Sequence, residues 1–454
     1  MYDEHPILSP RHYAWLLLAF MAFVIYGSLV PLSFQAYSWS EGCSRFAAAF
    51  SKPVAIQQRS DWLANILLFI PLGFIAMGWR SVDRYEQSLT PVLMILPACS
   101  LFSTLIEFTQ VWFPPRHTNV NDVVAETLGG AIGVGIWMAV GQAATEYLRQ
   151  FWSRHAVHNW SIRLIPGYLV LLVFIHGMPF DLTLSPTCLK AKYNVHMILP
   201  VPFTVPGGEP LDLVKKGLIN FAWFLPAGVL IAGLPPWFAY RIAGAWRVLG
   251  VGVLLAGTIE MMQLLVMSRY FDTTDIITGG LAVLAGWRLM MAWQERRDQT
   301  HEPHFPVAYR VALLSIWVLA LVFIHWEPFS FRTDANYLSE RTSQVSLIPF
   351  ADYYAGNYLV SFNEMIQKTL LFVPFGLLLG VTGTSRSDTL IVLNVSFFLA
   401  LTLEIGQLFL PHHHPGVSDL ILETFGAWLG SLAANRLHAL QTIPDVHPTY
   451  FPTR

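Results

Sequence analysis

The sequence predicts an all-α protein that crosses a membrane about twelve times, in three tandem four-helix repeats. Of its 454 residues, 54% are hydrophobic and only 12% are charged, whereas soluble domains carry about 25% charged residues. Apolar windows of about 20 residues recur along the chain, long enough to cross a hydrocarbon core of about 30 Å. Within lipid such segments form helices, because the backbone must satisfy its own hydrogen bonds. The net charge of −2 and the lack of a basic, aromatic-interleaved segment favour no nucleic-acid partner.

Two polar linkers, residues 147–161 and 294–304, divide the apolar segments into groups of four. The expected spans lie near residues 13–31, 62–79, 91–112, 121–140, 162–179, 214–234, 244–267, 273–292, 308–327, 363–381, 388–410 and 417–435. The sequence therefore predicts three units, residues 1–150, 151–300 and 301–454.

The first two spans of each unit carry matched prolines. The first span ends at Pro31, Pro179 or Pro328, and a long loop follows it. The second span reads NILLFIPLG, NFAWFLPAG or KTLLFVPFG, so it opens with Asn65, Asn220 or Lys368. The internal proline removes a backbone donor and is expected to bend this helix.

The third and fourth spans carry matched polar residues. The third span ends in E-x-x-Q, as Glu107/Gln110, Glu260/Gln263 and Glu404/Gln407. Fifteen residues after each glutamate stands an aspartate, as Asp122, Asp275 and Asp419. Small residues follow each aspartate at helical spacing, as Gly129/Gly133, Ala282/Gly286 and Gly426/Gly430. Small residues in that register let a neighbouring helix approach closely.

Charged residues at the same offsets in three apolar segments indicate tandem repeats. Four spans per unit give all three units the same orientation, so these are parallel repeats. More of the 27 Lys and Arg residues fall on the side of the N-terminus and the linkers than on the other side. The positive-inside rule then predicts cytoplasmic termini and places the polar motif at the outer helix ends.

Residues three or four apart on a helix share a face, so the motif residues of one repeat are expected to converge. In the first repeat these are Asn65, Glu107, Gln110, Arg116 and Asp122, and in the second they are Asn220, Glu260, Gln263, Arg269 and Asp275. In the third they are Lys368, Glu404, Gln407 and Asp419, with His413 in place of the arginine. Such intramembrane polar groups are normally paired and mark function.

Each motif residue has an expected role. An arginine such as Arg116 matches a phosphate or carboxylate of a ligand, whereas Glu107 and Asp122 are the candidates for acid–base catalysis. A Lys368–Glu404 ion pair is expected in the third repeat. The alternative is that Glu107, Arg116 and Asp122 form a buried network that only fixes the bundle. The three cysteines show no metal-ligand spacing. His412, His413 and His414 could bind a metal, but no acidic or thiol partner is spaced with them, so a solvated loop is favoured and the sequence predicts neither a metal nor a cofactor.

These residues resemble the VanZ-like family, whose four-span units combine an N…F-x-P-x-G helix, an E-x-x-Q helix end, an arginine, and an aspartate before a Gly-rich span. The first repeat matches best, and the third departs at Lys368 and His413. The family usually has asparagine four residues after the aspartate, where this chain has Glu126, Gly279 and Glu423. The resemblance covers nearly the whole chain as three copies.

The resemblance implies a protein of the bacterial inner membrane with a role in the cell envelope, in exopolysaccharide formation or in glycopeptide tolerance. The expected ligand is an amphiphile with a polar head, namely a lipid-linked saccharide or a lipoglycopeptide, besides membrane lipids themselves. The alternatives are an enzyme that uses Glu107 and Asp122 on such a lipid, a transporter, and a scaffold for envelope-biosynthesis proteins. The transporter is disfavoured by charges that lie at one end of the helices rather than at the midplane.

Overall fold

The computed structural model of the protein describes residues 7–51, 59–84, 89–114, 116–152, 160–204, 210–235, 241–242, 244–300, 307–355, 358–380, 386–413 and 415–441. The chain forms two compact units, one of residues 1–153, 179–181 and 348–362 and the other of residues 154–178, 182–347 and 363–454. Every contact reported below lies within one of these units.

Each repeat contains four long helices, which we call its first, second, third and fourth helices. In the first repeat they are Pro10–Leu29, Arg59–Ser81, Thr90–Gln110 and Val120–Ile136, the last continuing through a π-helical segment, Trp137–Gly141, into Gln142–Trp152. In the second repeat they are Trp160–Gly177, Pro210–Ala232, Ala245–Leu264 and Thr273–Thr300. In the third they are Val307–Trp326, Tyr358–Gly380, Arg386–Leu408 and Val417–Gln441.

A shorter helix follows the first helix of every repeat, where the sequence indicated only a loop. These helices are Trp39–Phe50, Pro186–Asn194 and Ala335–Gln344. A side-chain cap explains two of them, because Ser38 accepts a hydrogen bond from the Glu41 N–H and Asp334 accepts one from the Tyr337 N–H. The remaining elements are a 3₁₀ turn, Ala351–Ala355, and two parallel strands, Ile198–Leu199 and Phe271–Asp272.

Ten of the described helices are long and apolar enough to cross a membrane, so the chain is an all-α, multi-pass membrane protein. The two remaining expected spans are helical but do not reach the same hydropathy; they are Tyr358–Gly380 and Val417–Gln441. Charged side chains early in each helix, such as Glu364 and Lys368 or Asp419 and Glu423, lower its hydropathy. The count of twelve crossings therefore stays a prediction for these two helices.

Each repeat buries its own hydrophobic cluster and exposes large apolar side chains on the outside. Phe69 lies in the cluster of the first repeat, Phe224 in that of the second and Phe372 in that of the third. On the outer surface, Leu93 is 73% exposed and Leu254 is 72% exposed. Apolar surface on this scale suits a solvent of lipid chains rather than water.

The second and fourth helices pack closely through glycines. A Cβ atom built on Gly133 would lie 2.1 Å from the Ile70 carbonyl oxygen, and one built on Gly430 would lie 2.1 Å from that of Val373. In the second repeat a Cβ on Gly286 would lie 2.1 Å from the Leu225 oxygen. The close approach predicted from the small-residue spacing is confirmed, and the neighbour is the second helix of the same repeat.

Candidate functional site

The glutamate of E-x-x-Q holds the start of the fourth helix in every repeat. Its Oε2 atom accepts a hydrogen bond from a backbone N–H twelve residues later, as Glu107 from Asn119 at 2.7 Å, Glu260 from Asp272 at 2.8 Å and Glu404 from Gly416 at 2.9 Å. The first N–H groups of a helix lack partners within the helix, and a carboxylate near the N-terminus also meets the positive end of the helix dipole. This contact is a capping box in which the acid comes from a neighbouring helix.

The arginine that follows E-x-x-Q in the first two repeats donates hydrogen bonds to carbonyls at the end of the first helix. Arg116 donates from Nε to the Val30 oxygen at 2.8 Å and from Nη2 to the Gly27 oxygen at 2.6 Å. Arg269 makes the same pair of contacts, with Met178 at 2.7 Å and Ile175 at 3.1 Å.

In the third repeat His413 Nε2 donates to the Glu327 oxygen at 2.7 Å, the position that corresponds to Val30 and Met178. The residue after each of these acceptors is a proline. Because the proline nitrogen has no hydrogen, the carbonyl four residues before it receives no helical hydrogen bond. In the first two repeats that carbonyl, Gly27 or Ile175, is the second acceptor of the arginine. Burial lowers the pKa of His413, which favours the neutral imidazole with its proton on Nε2.

Cations on the short helices add a second layer of carbonyl contacts that the sequence analysis missed. Lys192, only 1% exposed, donates to the Gln263 oxygen at 2.8 Å and the Val266 oxygen at 2.7 Å. Arg341 donates to the His413 and Leu410 oxygens. The available signal was the presence of basic residues in these otherwise weakly charged loops.

The glutamine of E-x-x-Q links the third helix to nearby backbone carbonyls. Gln110 donates to the Ser28 oxygen at 3.0 Å and Gln407 to the His325 oxygen at 3.4 Å. With its amide oriented to satisfy both of its atoms, Gln263 donates to the Tyr270 oxygen at 3.2 Å and to Glu260 Oε1 at 2.9 Å.

The aspartate at the start of the fourth helix differs in its partner from repeat to repeat. Asp122 has the Asn65 side chain as its polar neighbour. Asp275 Oδ2 lies 3.1 Å from Lys216 Nζ, which is also 2.6 Å from Asp272 Oδ2. Asp419 pairs with Lys368. The ion pair of Lys368 predicted from the sequence was with Glu404; Lys368 instead binds Asp419, which stands closer to it across the helix interface, and Glu404 adds only a longer-range attraction.

The position four residues after this aspartate also varies. Glu423 Oε1 in the third repeat lies 2.9 Å from His325 Nε2, and the His325 Nδ1 atom lies 2.8 Å from the Leu321 oxygen. In the first repeat Glu126 is 4% exposed, and its Oε2 atom has no hydrogen-bond partner within the described part of the chain. The second repeat has Gly279 here, and the sequence signal for the His325–Glu423 pair was only the departure from asparagine.

A pocket of about 310 Å³ lies at the motif of the second repeat. Its lining includes four of the predicted site residues, Asn220, Gln263, Arg269 and Asp275, together with His176, Lys215, Lys216 and Gln367. Asp275 is 9% exposed, and its Oδ1 atom has no hydrogen-bond partner among the described residues. Asn220 lies against the start of the fourth helix, because its Nδ2 atom donates to the Asp275 oxygen at 2.9 Å.

Within each repeat the predicted residues thus lie close together, but several of them form hydrogen bonds with backbone groups. The glutamates, glutamines and arginines bind backbone groups near helix ends, whereas each aspartate has a different side-chain partner, namely Asn65, Lys216 or Lys368. Within the described residues, no group of three or more His, Cys, Asp or Glu side chains could hold a metal ion.

The comparison with protein families gives three matches along the chain. The model described as VanZ/LLP1 matches residues 10–141, 145–294 and 311–438, and each match spans the four long helices of one repeat. Neither a curated protein nor a solved structure matches the chain.

Proposed function

Since this chain belongs to the VanZ/LLP1 family as three tandem units, we propose that it binds an amphiphilic envelope ligand through the polar groups at the helix ends. The ligand class is a lipid-linked saccharide or a lipoglycopeptide, and the role is in exopolysaccharide formation or glycopeptide tolerance. The protein resides in the bacterial inner membrane with both termini in the cytoplasm, so that the motif meets the outer leaflet. Membrane lipids, and envelope-biosynthesis proteins as partners, belong to the same proposal.

The observation that carries this proposal is the pocket of the second repeat. Its walls combine polar side chains with Trp223 and Ile175, which suits a molecule with a polar head and an apolar body. The unpartnered Oδ1 atom of Asp275 is an acceptor for a donor group of the ligand, such as a sugar hydroxyl, because a buried carboxylate oxygen without a partner is costly. Arg269 is already engaged with two carbonyls, and Lys215 and Lys216 are engaged with carboxylates. The head group is therefore recognised mainly by hydrogen bonds.

Glu107 is 1% exposed and holds the Asn119 N–H. The enzymatic alternative needs Glu107 to be an acid or base that a substrate can reach, and this geometry does not support it.

A binding measurement on the purified full chain tests the proposal. The probes are a polyprenyl-phosphate-linked saccharide and a lipoglycopeptide, titrated against the protein in neutral detergent and followed by tryptophan fluorescence. We expect saturable binding of at least one probe and a loss of roughly tenfold in affinity for Asp275→Asn, which corresponds to about 1.4 kcal/mol. Glu295→Gln is the matched control, because Glu295 is an exposed acid on the same helix.

Two results would contradict the proposal. One is the absence of saturable binding for both probes. The other is equal affinity loss in the Asp275 and Glu295 variants, which would indicate a general charge effect. Reporter fusions at the two termini test the orientation separately, and a periplasmic terminus would overturn it.

A further inference from the structure

The aspartate of the fourth helix carries a lysine ammonium in two repeats. Lys216 lies 3.1 Å from Asp275 Oδ2, in addition to its hydrogen bond of 2.6 Å with Asp272 Oδ2, and Lys368 pairs with Asp419. The two lysines come from different positions, because Lys216 corresponds to Asp61 of the first repeat and Lys368 corresponds to Asn65, one helical turn later. Lysines at two different positions of the second helix thus place an ammonium group beside the aspartate of the fourth helix. This indicates that the aspartate carboxylate requires a cation.

The first repeat has no lysine at either of these two positions, which are Asp61 and Asn65. The corresponding aspartate, Asp122, stands beside Asn65, and Asp61 adds a further negative charge nearby. Over the ranges that the structure describes, Asp122 forms no ion pair with Lys, Arg or His. Arg116, the nearest cation in the sequence, directs its Nε and Nη2 atoms to the carbonyls of the first helix.

A second carboxyl group points to the same conclusion. Glu126 lies one turn after Asp122 on the same helix face, is 4% exposed and leaves Oε2 without a partner in the described residues. The matching residue in the third repeat, Glu423, has His325 at 2.9 Å, and that of the second is Gly279. The first repeat therefore keeps both acids and lacks the lysine and the histidine that accompany them in the third.

We propose that the first repeat binds the primary ammonium group of an amphiphilic molecule at Asp122, with Glu126 as a second acidic group deeper in the bundle. The ammonium takes the place that Lys216 and Lys368 fill within their own repeats. An N⁺–H donor makes a charge-assisted hydrogen bond to a carboxylate, and the apolar part of the ligand lies along the lipid-facing helix surface. This site is separate from the pocket of the second repeat, so it stands or falls without the function proposed there.

The test uses octylammonium as the probe and the full chain in neutral detergent, with thermal stabilisation and calorimetric binding as readouts. We expect saturable binding with a stoichiometry of one, and at least tenfold weaker binding of 1-octanol, which has the same chain without the charge. Asp122→Asn is expected to weaken octylammonium binding at least tenfold.

The decisive variant is Asn65→Lys, which copies the Lys368–Asp419 arrangement into the first repeat. It is expected to fold and to abolish octylammonium binding, because the new lysine fills the site. Asn65→Met, which has a side chain of similar length without charge, is the matched control and is expected to retain binding.

Three outcomes would overturn the inference. Asn65→Lys could bind octylammonium as tightly as the natural chain, and octanol could bind as tightly as octylammonium. Sodium ions could stabilise the protein at the same concentration as octylammonium, which would indicate a metal-ion site instead. The Asn65 and Asp122 variants leave Asp275 of the second repeat unchanged. A negative result with octylammonium therefore does not affect the saccharide-binding test of the second repeat.

Discussion

The first and third repeats share the same scaffold and differ in the side chain that accompanies the aspartate of the fourth helix. Glu107 and Glu404 both accept a hydrogen bond from the N–H of the residue directly before the fourth helix. Arg116 and His413 both donate to a carbonyl at the end of the first helix. At the aspartate they diverge, because Asp122 faces Asn65 whereas Asp419 carries Lys368.

This difference distinguishes the motif contacts that recur in every repeat from those that vary between repeats. Contacts with backbone atoms recur in all three repeats because each bundle needs its helix ends closed. The charge that accompanies the aspartate is free to vary, so ligand recognition is expected there rather than at the glutamate or the arginine.

The largest expected effect comes from removing the built-in cation of the third repeat. Lys368→Met leaves Asp419, 3% exposed, without its ion pair, and breaking a buried pair costs about 3 kcal/mol or more. Thermal unfolding in detergent measures the loss. The matched change in the first repeat, Asn65→Met, removes a hydrogen bond to Asp122 rather than an ion pair and is expected to cost about 1 kcal/mol. Equal losses in the two variants would contradict the comparison.

Substituting a glycine between the second and fourth helices is expected to disrupt the packing that all three repeats share. Gly133→Ala places a Cβ atom 2.1 Å from the Ile70 oxygen, which must push the second and fourth helices apart at a cost of about 1–3 kcal/mol. Gly135→Ala is the control on the same helix, because a Cβ there meets nothing within 4 Å. A Gly133→Ala protein that unfolds at the same temperature as the Gly135→Ala protein would show that this contact does not set the helix spacing.

Much of this scaffold was predictable, because it depends on side chains with a clear periodicity. The helix positions, the register of Glu107 and Asp122, and the close approach at Gly133 all follow from spacing. The partners of Glu107 and Arg116 were not predictable, because backbone N–H and C=O groups are present at every position and leave no mark in the sequence. The helix Trp39–Phe50 was missed although Ser38 and Glu41 form a capping signature.

A smaller effect is expected from changing the glutamate of the first repeat. Glu107→Gln keeps an oxygen that accepts from the Asn119 N–H, and the removal of a carboxyl group from the helix N-terminus is expected to cost at most about 1 kcal/mol. Glu107→Leu removes the acceptor and is expected to cost about 1–3 kcal/mol, since the N–H is left buried without a partner. Unfolding curves of the two variants separate these roles, and equal destabilisation would show that the charge, not the hydrogen bond, carries the contact.

The smallest effect concerns His413, whose imidazole binds the carbonyl at the end of the first helix of the third repeat. Burial lowers the pKa of His413 below the ordinary histidine value of about 6.5, so the folded state binds fewer protons there than the unfolded state. Its contribution to stability is therefore present above about pH 6.5 and is lost as the pH falls through that value towards the lower folded pKa. His413→Arg copies the first two repeats, does not titrate in this range, and is expected to flatten the stability curve between about pH 7 and 5.

Chemical unfolding at several pH values measures the difference between the two curves. His412→Arg adds the same charge at an exposed neighbouring position and controls for a general effect of charge on the loop. If His413→Arg keeps the pH dependence of the natural chain, the Glu327 carbonyl contact is not the origin of that dependence. If it flattens the curve and preserves stability at neutral pH, arginine and histidine perform the same structural task in different repeats, which leaves the aspartate as the position where the first and third repeats differ in function.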